Sequence, residues 1–444
     1  MIRAEGVYKV FGESPQEALR LLQEGSNKDD IQQETGNIVG VADANFRLAP
    51  GEVFVIMGLS GSGKSTLLRC INRLIEPTAG KVFLDTPEGD SIEVTSLDEN
   101  RLRHIRTHRM SMVFQHFALF PHRTVRSNVA YGLEIQGRSR QECSRIAQDV
   151  LDMVGLGQWA DSYPSALSGG MQQRVGLARG LATEAGVLLM DEPFSALDPL
   201  IKVTMQDELL KIQGQLDRTI LFITHDLDEA MRLGDRIAIM ESGVIVQIGT
   251  PEEILVNPKT EYVADFVEHA DPTGVITAGT VALPMASGQL EKVGRKEAVE
   301  YHARRSDPDV HYGTDGQGEL VEVLVDGSPA KLKLLSEVLT AAGDGAAVRR
   351  RKDMALLCPA STVIRDVLKG RVHSTLPLIV VEEGSKRFRG IIDEPELVGG
   401  ILEKKGYEGL EEARRMQRSR GGSSLQDASS EAPAGAVAPR LSEP

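Results

Sequence analysis

Residues 58–66 read Gly58-Leu59-Ser60-Gly61-Ser62-Gly63-Lys64-Ser65-Thr66, after an apolar run over 53–57 and before Leu67-Leu68-Arg69. A strand, a glycine-rich turn and a helix start in this order are the setting of a phosphate-binding loop, and we expect all of 58–66 to line a nucleotide. Glycines let backbone N–H groups close around phosphates, and the helix N-terminus adds partial positive charge. Lys64 should reach the β- and γ-phosphates and the Ser65 hydroxyl should hold Mg²⁺. A glycine-rich turn with an incidental lysine is the alternative, which the complete motif and both flanks disfavour.

Composition and charge narrow the class of protein. The 444 residues carry a net charge of −14, with a pI near 5.3. A chain of this length has room for two or three domains, and its acidic balance argues against a nucleic-acid partner, which would favour a basic face. Cys70, Cys143 and Cys358 lack metal-type spacing, which indicates free thiols in a reducing cytosol.

Neither a membrane span nor an export signal stands out in the sequence. No apolar run approaches the roughly 20 residues that a transmembrane helix needs. The start, Met1-Ile2-Arg3-Ala4-Glu5, lacks the apolar centre of a signal peptide. We therefore expect a cytosolic chain that works at a membrane only by docking on another subunit.

Strands and helices alternate along the first 270 residues. The pattern predicts a first strand over 2–11, an inserted helical pair with Ser26 as a cap and Gly36 as its end, and a second strand over 38–48. Further strands are predicted over 53–57, 81–84, 110–114, 187–190 and 219–223, with a mostly helical stretch over 116–165. This alternation indicates an α/β fold with a parallel sheet whose ligand lies at the strand C-termini.

Four polar residues stand at the ends of these predicted strands. Asp191 can bind Mg²⁺, and Glu192 can act as general base towards the water that attacks the γ-phosphate. Gln115 can reach both Mg²⁺ and that water, and His225 can hydrogen-bond the γ-phosphate. A helix-capping acid pair and a satisfied core histidine are the alternatives, which the joint occurrence of the four disfavours. The sequence thus predicts Glu192, His225 and Gln115 as catalytic residues and Ser65, Gln115 and Asp191 as metal ligands.

These residues resemble the ATP-binding cassette (ABC) superfamily. Leu167-Ser168-Gly169-Gly170-Met171 is similar to its signature sequence, with Met171 where the common signature has Gln. The resemblance implies that ATP and Mg²⁺ bind, and that Ser168, Gly169 and Gly170 face the γ-phosphate held by a second subunit. It also implies that Phe11 stacks on adenine and that Ser195-Ala196-Leu197-Asp198 crosses the dimer interface.

A narrower resemblance, to the ATPase subunit of the glycine betaine/proline uptake transporters, runs from residue 2 to about residue 269. It rests on the inserted helical pair, on residues 54–63, and on Asn72-Arg73-Leu74-Ile75-Glu76-Pro77-Thr78, Phe194-Ser195-Ala196-Leu197-Asp198-Pro199-Leu200-Ile201 and His225-Asp226-Leu227-Asp228-Glu229-Ala230-Met231. It implies a homodimer beneath two integral membrane permease subunits, peripheral on the cytoplasmic face of the inner (plasma) membrane. A groove near residues 115–131 would receive a permease helix, and a substrate-binding protein would deliver the osmoprotectant.

From about residue 271 the motifs fade. Residues 376–405 resemble the end of a cystathionine-β-synthase-type (CBS) module, which that family often carries in pairs, whereas 275–354 match poorly; a helix is expected over 332–339. In nucleotide-binding CBS modules a Thr or Ser and an Asp hold phosphate and ribose. Asp393 and Glu396 take these places here, and a carboxylate at the phosphate position would repel it. Residues beyond about 412 are expected to be disordered.

The sequence therefore predicts an α/β chain of three parts. A P-loop ABC ATPase domain spans 1–270 with a helical subdomain at about 116–170, a degenerate CBS-like domain spans 271–410, and a disordered tail spans 411–444. The predicted function is ATP hydrolysis in an importer of glycine betaine, proline betaine or related quaternary amines, with the particular solute left open. A soluble cassette ATPase acting on ribosomes or DNA is the alternative, disfavoured by the single phosphate loop; a slow nucleotide sensor is another, disfavoured by Glu192 and His225.

A cationic run, Arg349-Arg350-Arg351-Lys352, stands out in this acidic chain. Anionic lipid attracts basic residues at roughly 1 kcal/mol each, and the Debye length falls from about 10 Å at 0.1 M salt to about 3 Å at 1 M. We predict that the run holds the C-terminal region to the membrane at low salt and releases it at high salt. With all four residues changed to Gln, transport in anionic liposomes should already be active at low salt; an unchanged salt threshold would favour the alternative, a solvated loop without a partner.

Overall fold

The computed structural model describes residues 1–86, 89–115, 118–216, 218–287, 289–342 and 351–403, and its first 250 residues build two β-sheets. The first sheet is antiparallel and has the order β2-β1-β4-β5. Its strands are β1 (Ile2–Phe11), β2 (Ile38–Leu48), β4 (Ala79–Asp85) and β5 (Ser91–Glu93).

The second sheet has six strands in the order β10-β9-β3-β8-β7-β6, and all neighbouring pairs are parallel except β10 with β9. The strands are β3 (Val53–Met57), β6 (Met110–Val113), β7 (Val187–Asp191), β8 (Thr219–Thr224), β9 (Arg236–Glu241) and β10 (Val244–Gly249). Every residue of β3, β7 and β8 is buried, because both faces of the sheet are covered. The parallel pairing confirms the predicted sheet for the strands over 53–57, 110–114, 187–190 and 219–223. The predicted strands over 2–11, 38–48 and 81–84 belong to the antiparallel sheet instead, because they pair with one another.

Helices cover the parallel sheet. They are α3 (Lys64–Ile71), α4 (Glu99–His108), α5 (Val125–Ile135), α6 (Arg140–Met153), α7 (Gly169–Ala182), α8 (Pro199–Leu216), α9 (Leu227–Leu233), α10 (Pro251–Val256) and α11 (Glu261–Val267). Helices α5 and α6 lie within the stretch predicted as a helical subdomain and share a buried cluster with α7. In the described part of the chain, no helix is long and apolar enough to cross a membrane.

The predicted helical pair after β1 is confirmed as α1 (Pro15–Gln23) and α2 (Lys28–Thr35). Its predicted cap was wrong by one residue: Asn27, not Ser26, accepts the N–H of Asp30 at 2.8 Å, because Asn27 adopts the extended backbone that a cap needs. Gly36 ends α2 in the left-handed region, φ 68°, as the sequence predicted.

Residues 278–403 add two more sheets. A five-stranded antiparallel sheet with the order β12-β13-β14-β15-β16 occupies much of the stretch 275–354, for which the sequence indicated no fold. Its strands are β12 (Leu290–Lys296), β13 (Val299–Arg304), β14 (Asp307–Thr314), β15 (Leu320–Val325) and β16 (Ser328–Pro329).

The other sheet has the order β11-β20-β19-β18-β17 and is flanked by helices. The elements are α12 (Ala278–Val281), β11 (Leu283–Pro284), β17 (Lys331–Leu334), α13 (Leu335–Ala342), β18 (Met354–Pro359), α14 (Ile364–Arg371), β19 (Leu378–Val381), β20 (Phe388–Ile392) and α15 (Glu394–Glu403). The helix predicted over 332–339 was wrong at its start, because residues 332–334 belong to β17, which pairs in parallel with β18. The predicted tail, 411–444, lies outside the described residues.

Candidate nucleotide site

The loop between β3 and α3 has the backbone of a phosphate cradle. Gly58 and Gly63 have φ values of 151° and 96°, and a Cβ atom would lie 2.1 Å from the carbonyl oxygen of Met240 in the first case and of Gly40 in the second. Only glycine fits at these two positions. The loop is thus packed against β9 and β2 and leads directly into α3.

Lys64 is held inside this loop. Its Nζ donates hydrogen bonds to the carbonyl oxygens of Gly58 at 2.8 Å and Leu59 at 2.9 Å. Burial lowers the pKa of the Lys64 ammonium, and the carboxylates of Glu192 and Asp191 oppose that shift. The positive charge is therefore fixed within the loop and close to both acids.

Ser65 and Asp191 meet where α3 faces the end of β7. The Ser65 hydroxyl donates to Oδ1 of Asp191 at 2.7 Å, and Arg69 Nη2 lies 3.2 Å from Oδ2. Asp191 is fully buried. A hydroxyl and a carboxylate side by side form a donor set of the hard oxygen type that Mg²⁺ prefers.

Gln115 and His225 converge on the carboxylate of Glu192. Nε2 of Gln115 donates to Glu192 Oε2 at 3.1 Å, and His225 Nδ1 lies 3.2 Å from the same oxygen. Three strand ends, after β6, β7 and β8, supply these side chains. The arrangement brings together the three residues predicted as catalytic.

The segment that carries His225 is fixed by partly buried ionic contacts. Asp226 caps α9 by accepting the N–H of Glu229 at 3.2 Å, and Lys202 Nζ bonds both carboxylates, at 2.6 and 2.7 Å. Burial raises the pKa of Glu229 despite that contact. Helix α8 thereby holds the start of α9 and sets the place of His225.

The signature residues stand at the start of α7. Ser168 is the N-cap and its hydroxyl accepts the N–H of Met171 at 3.4 Å, while Gly169 and Gly170 form the first helical positions. A Cβ on Gly170 would lie 3.2 Å from the carbonyl oxygen of Ala196. Among the described residues, no hydrogen bond joins 168–170 to the phosphate loop of the same chain.

Phe11 ends β1 and is 38% exposed. Lys9 Nζ lies 5.0 Å from the ring centroid, and a Cβ on Gly40 would come 2.8 Å from Cε2. A Cβ on Gly40 would also lie 3.3 Å from Thr66 on α3. The Phe11 ring therefore lies beside the phosphate loop. This place suits the stacking role that was predicted for Phe11.

Two residues of the site were missed in the sequence. Arg69 contacts Asp191 and lies one helical turn after Ser65 on α3. Residues four apart lie on the same face of a helix, so the spacing between Ser65 and Arg69 is the sequence signal that could have identified Arg69. Gln173 bonds the Glu192 carbonyl at 3.3 Å, and no pattern in the sequence marks it.

A cavity of about 520 Å³ lies between the parallel sheet and α5. Apolar side chains from β6 and the following loop line it together with α5: Met112, Phe114, Phe120, Tyr131 and Ile135. It overlaps the groove predicted near residues 115–131.

The two carboxylates at the CBS-type ligand positions are paired with arginines. Arg304 on β13 donates two hydrogen bonds to Glu396, at 2.6 and 3.2 Å, and Arg371 Nη2 donates to Asp393 at 2.6 Å. The chain itself therefore neutralises both carboxylates.

Comparison with known proteins agrees with this geometry. Residues 41–195 match the family model described as ABC transporter. The phosphate loop, the strand-end acids and this match define the class of protein, an ABC-type ATPase.

The relatives narrow that class. The glycine betaine transport ATP-binding protein OpuAA of Bacillus subtilis (strain 168) is 44% identical over 406 residues, 91% of this chain and 93% of that protein. The glycine betaine/carnitine transport ATP-binding protein GbuA of Listeria monocytogenes is 45% identical, over 88% of this chain and 95% of that protein. ProV of Escherichia coli (strain K12), the ATP-binding protein of a glycine betaine/proline betaine transport system, is 49% identical, over 70% of this chain and 77% of that protein. The chain belongs to this family of transport ATP-binding proteins.

Among solved structures, a dimeric post-hydrolysis state of the ATP-binding cassette MJ0796 with ADP and Pi has a TM-score of 0.49 and 31% identity, over 56% of this chain and 99% of that one.

Proposed function

We propose that this chain hydrolyses ATP to drive an importer of glycine betaine, proline betaine or a related quaternary amine. The observation that carries the ATPase assignment is the shared oxygen, Glu192 Oε2, which both Gln115 and His225 approach at hydrogen-bond distance. A carboxylate oriented by two polar groups is suited to act as a general base. The transport assignment rests on relatives that are transport ATP-binding proteins for glycine betaine and that align with most of this chain.

Three side chains are the proposed Mg²⁺ ligands: Ser65, Gln115 and Asp191. The 2.7 Å contact between Ser65 and Asp191 supports the first and last of them. The ion neutralises charge on the β- and γ-phosphates when bound. Lys64 adds a fixed ammonium, and Glu192 takes the proton from the water that Gln115 and His225 help to orient.

The proposed working form is a homodimer that binds ATP between the phosphate loop of one copy and residues 168–170 of the other. Two glycines and a helix start at 168–170 repeat the anion-binding design of the phosphate loop. Dimer closure would then depend on ATP, and hydrolysis by Glu192 would reopen it.

Mixing two inactive variants tests this composite site. Lys64→Ala removes the ammonium of the phosphate loop in one subunit. Gly169→Asp places a negative charge among the signature residues of the other subunit. Neither homodimer should hydrolyse ATP, whereas the heterodimer retains one complete site and should recover about half of the wild-type rate, because one of two sites remains. Differently tagged copies, purified as heterodimers, give the measurement. Verified heterodimers without activity would contradict the shared site.

The proposed membrane partners are two permease subunits, one for each copy, and a substrate-binding protein acts through them. The apolar cavity between β6 and α5 is the proposed seat for a permease helix. The chain would thus work on the cytoplasmic face of the plasma membrane. Purification from detergent-solubilised membranes should recover the permeases; recovery of ribosomes instead would favour the soluble cassette ATPase.

The permease subunits and the substrate-binding protein would determine which solute is transported. Names of relatives range from glycine betaine and carnitine to trimethylamine N-oxide, the last at 48% identity over 68% of this chain. Competition between labelled glycine betaine and unlabelled amines, in a deletion strain complemented with this chain, should identify the preferred solute. Uptake of none of them would contradict the assignment.

We propose that residues 271–410 form a regulatory CBS-like domain without a nucleotide ligand. The arginine pairs at Asp393 and Glu396 support this, because they occupy both carboxylates. The proposed contact of the cationic run with anionic lipid stays a prediction. Arg349 and Arg350 lie outside the described residues, and Arg351 pairs with Asp353 at 3.0 Å.

A further inference from the structure

One buried amide connects the signature helix to the loop that carries Glu192. Gln173 lies in the first turns of α7 and is 2% exposed. Its Nε2 donates to the Glu192 carbonyl oxygen at 3.3 Å and lies 3.5 Å from Ser195 Oγ. Its Oε1 accepts the N–H of Ala196 at 3.0 Å. The nitrogen and the oxygen of the Gln173 amide therefore both hold the backbone of residues 192–196.

Glu192 has a backbone conformation that needs such support. Its φ is 47°, in the left-handed region that residues with a Cβ seldom adopt. Its N–H donates to Ile223 at 3.0 Å, and its carbonyl accepts from Ser195 Oγ at 3.0 Å as well as from Gln173. A residue in such a conformation persists only where its surroundings determine it. With this backbone, the carboxylate lies 3.1 Å from Gln115 Nε2 and 3.2 Å from His225 Nδ1.

We propose that Gln173 is a positioning residue for ATP hydrolysis, which fixes the left-handed backbone of Glu192 and so aims its carboxylate. This rests on the proposed role of Glu192 as general base. Gln173 acts within its own subunit, on Glu192, whereas Ser168, Gly169 and Gly170 of the same helix act on the partner's ATP. Loss of the amide should therefore slow hydrolysis at the site whose Glu192 it holds.

Gln173→Met tests the proposal, because Met keeps the length of the side chain and removes all three of its polar contacts. The full chain should lose between about 10- and 100-fold in kcat, the range expected when a catalytic group is misplaced. KM for ATP should stay within about twofold, since neither the loop nor Lys64 is touched.

Gln136→Met is the matched control. Gln136 Nε2 also bonds two backbone carbonyls, those of Thr107 at 2.9 Å and Thr183 at 3.1 Å, away from Glu192. The control should keep kcat with a similar fall in melting temperature. An equal loss of kcat in both variants would overturn the proposal, and so would an unchanged kcat in Gln173→Met.

Heterodimers separate the two roles of α7 and remove the effect of a general folding defect. In the pairing of Lys64→Ala with Gly169→Asp, the Gly169→Asp subunit supplies Glu192 and the other supplies the signature. Gln173→Met in the Gly169→Asp subunit should reproduce the 10- to 100-fold loss; in the Lys64→Ala subunit it should change the rate less than about twofold. Equal losses in both placements, or a larger one in the second, would overturn the proposal.

A parallel Glu192→Gln sample shows which statement fails. Near-normal turnover of Glu192→Gln would contradict the general base itself, and this proposal with it. Loss in Glu192→Gln, together with full activity of Gln173→Met, would overturn the positioning role alone.

Discussion

The Glu192→Gln variant should bind ATP normally and lose about 10²–10⁴-fold in turnover, the usual contribution of a general base. Gln has the same shape as Glu, so the contacts with Gln115 and His225 can still form. It cannot take a proton from water, because its amide is neutral and far less basic. ATP should then accumulate intact in the closed dimer. Single-turnover hydrolysis and size-exclusion chromatography with ATP measure both effects.

Glu184→Gln is a matched control for that variant. Glu184 also has a left-handed backbone, φ 53°, but its carboxylate pairs with Arg138 at 2.7 Å. The Glu184 side chain is 57% exposed, and ion pairs at the surface contribute little to stability. Turnover of Glu184→Gln should therefore equal that of the wild type. If Glu192→Gln turned over at a comparable rate, Glu192 would not be the base.

The parallel sheet and its phosphate loop could be predicted because local sequence determines them. The strands β3, β7 and β8 are near-continuous apolar runs, the pattern of strands buried on both faces. Gly58 and Gly63 occupy backbone positions that only glycine fits. The strand-end residues followed directly, since parallel strands deliver their C-termini to one edge of a sheet.

Contacts between distant segments could not be predicted in this way. Gln173 looks like any polar residue on a helix, and its role depends on contacts with residues 19 to 23 positions further along the chain, where Glu192 has a left-handed backbone. Arg304 likewise meets Glu396 only because the meander β12–β16 places β13 beside α15. That meander is itself obscure in the sequence, since β12 and β16 are mostly exposed and lack an apolar stripe.

The Lys64→Ala variant should lose affinity for ATP, whereas Glu192→Gln should bind ATP and lose the hydrolysis step. Hydrogen bonds to charged groups contribute about 1.5–3 kcal/mol each, and 1.4 kcal/mol corresponds to tenfold in affinity, so ATP affinity should fall roughly 10- to 100-fold or more.

Lys211→Ala is the control for that variant, because Lys211 is exposed and pairs only with Glu208, at 2.7 Å, among the described residues. Its ATP affinity should be unchanged. Equilibrium binding of a fluorescent ATP analogue separates the cases. Glu192→Gln and Lys211→Ala should give the wild-type dissociation constant, and Lys64→Ala a much weaker one. Wild-type affinity in Lys64→Ala would mean that the ammonium, although fixed 2.8 Å from Gly58 within the loop, does not face the phosphates, and the loop would then bind its ligand through backbone N–H groups alone.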